Sequence, residues 1–215
     1  MAEDANSIGA RLNDKLALAG LDRLDPALAE RFGDYCGLLL RWNARTNLTA
    51  IRDEDGILSR HFVESIACAR VLPQGIATLL DFGSGAGFPG VPIALCRQEI
   101  AVTLAESQGK KAAFLREAVR ILGISANVHS GRAELIAGRF DCVTLRAVDR
   151  MEQAVQTASR LVARDGWVAL MTNEADRKTL QAAVGTGFEW LEPVPLRGSE
   201  RGLLLLAQSR ISEPA

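Results

Sequence analysis

Apolar positions along the chain follow two different periods, and the change falls near residue 75. Before it, spacing is helical. Asp25 and Pro26 make an N-cap and first-turn signal, and Leu28, Phe32, Tyr35, Cys36, Leu39 and Leu40 then recur on one face. This helix is expected to end near Trp42-Asn43. A second helix is expected after Asp53, carrying Ile57, Leu58, Phe62, Ile66 and Ala67 until Leu72-Pro73 stops it. Residues 1–74 thus read as an N-terminal helical cap, part of the same compact unit as the rest.

From residue 75 to 215, short apolar runs alternate with amphipathic segments: TLLDF, VPIALCRQ, AVTLAE, KKAAFLREAVRILG, NVHS, AELIAG, DCVTLRA, EQAVQTASRLVA, WVALMT, ADRKTLQAAV, FEWLEPV and GLLLLAQS. Such alternation predicts a parallel sheet covered by helices on both faces. The last two runs are separated only by PLRGSERG, which predicts a terminal antiparallel hairpin. The expected fold class is therefore α/β, with a mainly parallel seven-stranded sheet. No internal repeat is visible, and the tail SEPA reads as disordered.

Composition narrows the classes without naming one. With 215 residues, 48% hydrophobic and 24% charged, the chain reads as one globular domain with a modest appendage. No apolar stretch approaches the roughly 18 residues of a membrane span, and MAEDANSIGARLND lacks the regions of a signal peptide. A soluble, cytoplasmic and monomeric protein is expected. Cys36, Cys68, Cys96 and Cys142 form no CxxC pair, so they read as buried free thiols, with no metal site. Net charge is −1, so any nucleic-acid surface must be local.

Candidate chemistry starts where the first strand ends, in DFGSGAGFPGVP, residues 81–92. In an open α/β sheet the first strand-to-helix turn lies at the ligand crevice. One frame, Gly85-Ala86-Gly87-Phe88-Pro89-Gly90, satisfies the dinucleotide pattern GxGxxG. A pyrophosphate wants the free amides of the following helix, however, and Pro89 and Pro92 each remove one. The other frame, Asp81-Phe82-Gly83-Ser84-Gly85-Ala86-Gly87, is DxGxGxG and suits S-adenosylmethionine, which has no phosphates but must lie against bare backbone. Asp81 can order the loop amides or face the methionyl ammonium. Glu106 ends the next strand, where a carboxylate can hold both hydroxyls of a ribose. A plain tight turn is the competing reading.

The later strand ends add the substrate side. Ala133 and Glu134 follow the third strand, where an amide and a carboxylate can read an adenine edge, or Glu134 can simply favour a helix dipole. Thr144-Leu145-Arg146-Ala147-Val148-Asp149 follows the fourth, facing the group to be methylated. It contains neither the Asp/Asn-Pro-Pro-aromatic turn of amino methylation nor a nucleophilic cysteine. A ring nitrogen such as guanine N7 needs neither, and Arg146 can hold a guanine edge or a phosphate, or make a structural ion pair, for example with Asp149. In the cap, Arg41, Trp42, Asn43, Arg45, Asn47 and Arg52, then Arg60 and His61, interleave cations with an aromatic and amides, as a phosphate and base surface requires. Trp42 can instead close its helix against the core, and His61 can be a packed histidine. Lys110, Lys111, Arg116 and Arg120 fall on one helix, whose default is a solvated face.

WNARTNLTAIRD, SRHFVES, LLDFGSGAGFPGVPIAL, AESQGKKAAFLREA, GRAE and LRAV together resemble the glucose-inhibited division protein B (RsmG) family, bacterial methyltransferases that modify guanine N7 in 16S ribosomal RNA. The motifs cover roughly residues 35–150. The resemblance implies a Rossmann-like class I S-adenosylmethionine-dependent methyltransferase, with S-adenosylhomocysteine as product and a hairpin near the decoding site of the small ribosomal subunit as substrate. It implies cofactor contacts at Gly83, Ser84, Gly85, Gly87, Glu106, Ala133 and Glu134, with Arg60 and Arg146 near the cofactor or target base; the reading of the turn itself adds Asp81, Ala86 and Phe88, and Arg146, as cofactor contacts. RNA contacts are expected from Arg41, Trp42, Asn43, Arg45, Asn47, Arg52, His61 and Lys110. The family commonly has Asp at the position of Glu64, and Lys-Gly where Met171-Thr172-Asn173 stands; Arg197 and Arg201 can replace some of that basic surface. A binding module without turnover and an NAD(P)-dependent oxidoreductase are the alternatives.

Overall fold

A computed structural model describes residues 7–210 of the 215. The segment MAEDAN and the tail ISEPA, including SEPA, lie outside the described residues. The cap opens with a helix that the apolar pattern did not announce, α1 (Ile8–Leu18), capped by Ser7 on the Ala10 amide and burying Leu12 and Leu16. Helix α2 (Pro26–Thr46) starts as expected, with the Asp25 carboxylate accepting from the Leu28 amide at 2.9 Å. It runs one turn past Trp42-Asn43 and stops where Asn47 turns left-handed at φ 48°.

Asp53 caps the next stretch, and the chain passes through α3 (Glu54–Gly56), a π-helical segment (Ile57–Val63) and α4 (Glu64–Val71). The expected second helix is thus continuous in direction but widened in its middle. Local π geometry often marks functional segments, and this one carries Arg60 and His61.

The sheet comprises β1 (Thr78–Phe82), β2 (Ala101–Ala105), β3 (Ala126–His129), β4 (Phe140–Arg146), β5 (Val162–Asn173), β6 (Phe188–Trp190), β7 (Val194–Pro195) and β8 (Gly202–Ser209). Its order is β3-β2-β1-β4-β5-β8-β6, with β7 also on β8. Strands β1 to β5 pair in parallel, and β8 runs antiparallel to β5, β6 and β7. Eight strands stand where seven were expected, because the run FEWLEPV is broken at Leu191-Glu192-Pro193 and proline has no amide for the ladder. The last two runs do pair antiparallel as the predicted hairpin, and its terminal strand β8 lies between β5 and β6.

Helices α5 (Gly90–Cys96) and α6 (Gly109–Leu122) cover one face with the cap, and α7 (Met151–Arg160) and α8 (Glu174–Val184) cover the other. AELIAG, expected to be amphipathic, makes only a single 3-10 turn at Ala133–Leu135. Cap residues Leu12, Phe32, Tyr35 and Phe62 belong to the same apolar cluster as Leu79, Val91 and Leu104. All four cysteines are free, and three are buried. No described helix is long and apolar enough to cross a membrane. The order reverses between β1 and β4, which puts the ligand crevice at the carboxyl ends of those strands.

Candidate active site

At the end of β1 the backbone adopts positive φ at Gly83, Gly85 and Gly87, with values of 74°, 56° and 92°. The Ser84 amide donates to the Ala105 carbonyl at 2.9 Å, which pins this turn to the end of β2. One residue on, the buried Glu106 carboxylate accepts from the Gly85 amide at 2.9 Å and the Gln108 amide at 2.7 Å. A carboxylate has about four lone-pair positions, so acceptor capacity remains for the two hydroxyls of a ribose.

The cap closes the turn from above. Tyr35 donates its hydroxyl to the Ala86 carbonyl at 2.5 Å. His61 stacks on Phe88 with ring centroids 4.5 Å apart and shares a 2.8 Å hydrogen bond with the Thr49 hydroxyl. Burial, then the nearby cations Arg146 and Arg60, push the His61 imidazole down to about 3, so it is neutral near pH 7. Its Nδ1 is buried without a partner among the described residues.

A cleft of about 440 Å3 brings together Gly83, Ser84, Gly85, Ala86, Phe88, Glu106 and Arg146. His61, expected on the RNA surface, lines the same cleft. Four other expected cofactor residues do not line it. Asp81 is buried under the turn, where its carboxylate accepts from the Gly90 amide and the Thr144 hydroxyl, each at 3.1 Å. It therefore orders the loop and is screened from a methionyl ammonium. Gly87 faces inward against Tyr35 and Val91. Ala133 packs into the cluster on the α7 side, and Glu134 is exposed beyond the cleft. The cleft also takes in Leu48-Thr49-Ala50 and Ser107-Gln108, which sequence reasoning passed over, and Lys111, which it read as part of a solvated helix face. Only the residues following Glu106 carried a signal, by adjacency.

Arg146 lies at the carboxyl end of β4 and lines both this cleft and a larger pocket of about 930 Å3. The pocket also takes in Arg60, Glu64, the Met171-Thr172-Asn173 end of β5 and Arg201. The Arg146 guanidinium donates from one nitrogen to Glu64 Oε2 at 2.6 Å and to the Arg60 carbonyl at 2.7 Å, and from the other to Ser65 Oγ at 3.4 Å. Its ion-pair partner is thus Glu64, not Asp149. Burial raises the Glu64 carboxyl above its ordinary value, and Arg146 pulls it back.

The remaining RNA candidates divide. Arg41, Trp42 and Arg45 line a surface depression of about 580 Å3 with Glu117 of α6. Trp42 donates to Glu117 at 3.1 Å and meets Phe114 edge-on, so it also closes the helix against the core. Asn43 is not a surface contact: buried, it donates to the Ile51 carbonyl and accepts from the Thr49 amide, both at 3.0 Å. It ties the 47–51 loop to α2 instead. Asn47 and Arg52 are exposed and joined by a 2.6 Å hydrogen bond, while Lys110, Arg197 and Arg201 are exposed singly. No group of three or more metal-ligating side chains occurs among the described residues.

Strand order, the reversal at β1 and β4 and the glycine turn beside Glu106 define a class I S-adenosylmethionine-dependent methyltransferase. The O-methyltransferase from Bacillus cereus, solved in complex with SAH, has the same fold, with a TM-score of 0.58 over 82% of this chain and 91% of that chain at 14% identity. The rRNA small subunit methyltransferase G family profile matches residues 28–186. The ribosomal RNA small subunit methyltransferase G of Stenotrophomonas maltophilia is 40% identical over 193 residues, 88% of each chain, and that of Roseiflexus sp. is 39% identical over 201 residues, 86% of each. The chain belongs to the rRNA small subunit methyltransferase G family, which sets the oxidoreductase reading aside.

Proposed function

We propose that this protein transfers a methyl group from S-adenosylmethionine to N7 of one guanine in 16S ribosomal RNA, near the decoding site of the small ribosomal subunit. The observation that carries this reading is the position of Arg146, which borders both the glycine-turn cleft and the larger pocket at the ends of β4 and β5. The cleft suits the cofactor: Gly83 and Gly85 offer bare backbone, and Glu106 is held by two amides for a ribose. When bound there, S-adenosylmethionine supplies an electrophilic methyl on a sulfonium and leaves as the neutral thioether S-adenosylhomocysteine.

Guanine N7 attacks with its in-ring lone pair, a nitrogen–carbon bond forms, and the carbon–sulfur pair returns to sulfur. No proton leaves, so the chain needs no general base, in keeping with a His61 that is stacked on Phe88 and whose basicity burial lowers. Catalysis consists of alignment, to which Arg60 and Arg146 contribute by holding the nucleotide in the larger pocket. Arg41, Arg45, Arg52, Lys110, Arg197 and Arg201 are exposed and serve as phosphate contacts. The enzyme acts as a cytoplasmic monomer on the subunit.

The test is incubation with radiolabelled S-adenosylmethionine and small subunits lacking their native methylation, followed by nuclease mapping and mass spectrometry. Label on one guanine at N7 is expected. Cofactor binding with no transfer to subunits or free RNA would overturn the reading.

A further inference from the structure

Resting on that function, we propose that Glu64 and Arg146 read the target base together: Glu64 accepts from N1–H and the 2-amino group of guanine, and Arg146 donates to O6. The two side chains are 2.6 Å apart and only 9% and 15% exposed. Glu64 borders the larger pocket but not the cofactor cleft, whereas Arg146 borders both. An acceptor and a donor therefore lie side by side, with the donor on the cofactor side.

Guanine presents the complementary order along its edge. The 2-amino and N1–H donors come first, then the O6 acceptor, then the N7 acceptor. Setting the donors on Glu64 and O6 on Arg146 leaves N7 pointing past Arg146 toward the cofactor cleft, where the methyl must be delivered. Adenine is rejected by the same pair, because its N1 acceptor would face a carboxylate and its amino donor a guanidinium. Both groups keep capacity for this: with Ser199 also hydrogen-bonded to Glu64, about four lone-pair positions on the carboxylate and five N–H donors on the guanidinium still exceed what the internal bonds use. The Arg60 carbonyl and Ser65 hold the guanidinium from its other sides, so the pair is preset before the base arrives.

The alternative is that Glu64 merely positions Arg146. Inosine, which lacks only the 2-amino group, separates the two roles. Small subunits carrying guanosine or inosine at the mapped position are compared by kcat/KM, with wild-type protein, Glu64→Gln and Glu64→Asp. Loss of one hydrogen bond to a charged group predicts that wild type prefers guanosine by about tenfold. Glu64→Asp, which keeps the carboxylate, should retain the preference. Glu64→Gln should lower turnover of guanosine and shrink the preference to about twofold, with S-adenosylmethionine affinity by calorimetry unchanged. Equal use of both bases by wild type, or a slow Glu64→Gln with its preference intact, would overturn the proposal while leaving N7 methylation standing. Failure of wild type to methylate guanosine would instead remove the function on which it rests.

Discussion

Asp81 shows how far one buried carboxyl departs from its apparent role. Its place at the end of β1 was legible, since a strand-end acid before glycines is a local pattern; that it points down into the sheet was not. Burial pushes it up to about 6 from an ordinary 3.8, against the opposing donors Ser84, Thr144 and Gly90. A folded value above the unfolded one means that the group's stability contribution is full below about pH 4 and is lost as pH rises through about 6. Relative to Asp81→Asn, wild type should lose on the order of 2 kcal/mol between pH 4 and 7, read from urea midpoints at each pH. A difference independent of pH would contradict the burial argument. His61 acts in the opposite sense, because its folded value is depressed: its contribution is present above about 6.5 and lost as pH falls toward about 3. The comparison must therefore be made against the single variant, not on the wild-type profile alone.

At the scale of elements, the glycine turn separates packing from ligand approach within three residues. A Cβ on Gly87 would stand 2.6 Å from the Tyr35 hydroxyl and 2.7 Å from Val91 Cγ2, at a φ of +92°. Gly87→Ala should cost about 2–4 kcal/mol of stability in denaturant unfolding. A Cβ on Gly85 meets nothing nearer than 3.9 Å, so Gly85→Ala should cost only about 1–2 kcal/mol, from its φ of +56°. Because Gly85 lines the cleft, that change should mainly weaken S-adenosylmethionine binding in calorimetry. Reversed outcomes would exchange the two roles. Elements with long periodic faces, such as α2 and α6, were legible because a repeated apolar position is a local property. Their ends were less so: α2 stops on a left-handed Asn47, a conformation that its neighbours determine. The short turn at Ala133–Leu135 and the break at Pro193 lay below the length at which period distinguishes elements.

Across the whole molecule, the cap and the cofactor loop meet through Tyr35 and Ala86, 51 residues apart in sequence. Tyr35 is fully buried amid Phe62, Phe88 and Phe114, and burial raises its hydroxyl well above the ordinary value, so it stays a neutral donor. Tyr35→Phe keeps the ring packing and deletes the bond. Stability should fall by about 1–2 kcal/mol, and the calorimetric Kd for S-adenosylmethionine should rise about threefold or more. An unchanged Kd would mean that the cap does not organise the turn. By itself the sequence determined the α/β class, the strand-end glycine turn and the acid Glu106 at the end of the next strand, because periodicity, backbone φ and residue chemistry are set within a few residues. Only the tertiary structure decided that Asn43 is a fastener, that His61 lines the cleft, and that Arg146 pairs with Glu64, 82 positions away. Those roles depend on which distant polar groups must satisfy one another once water is excluded, and local pattern carries no record of that choice.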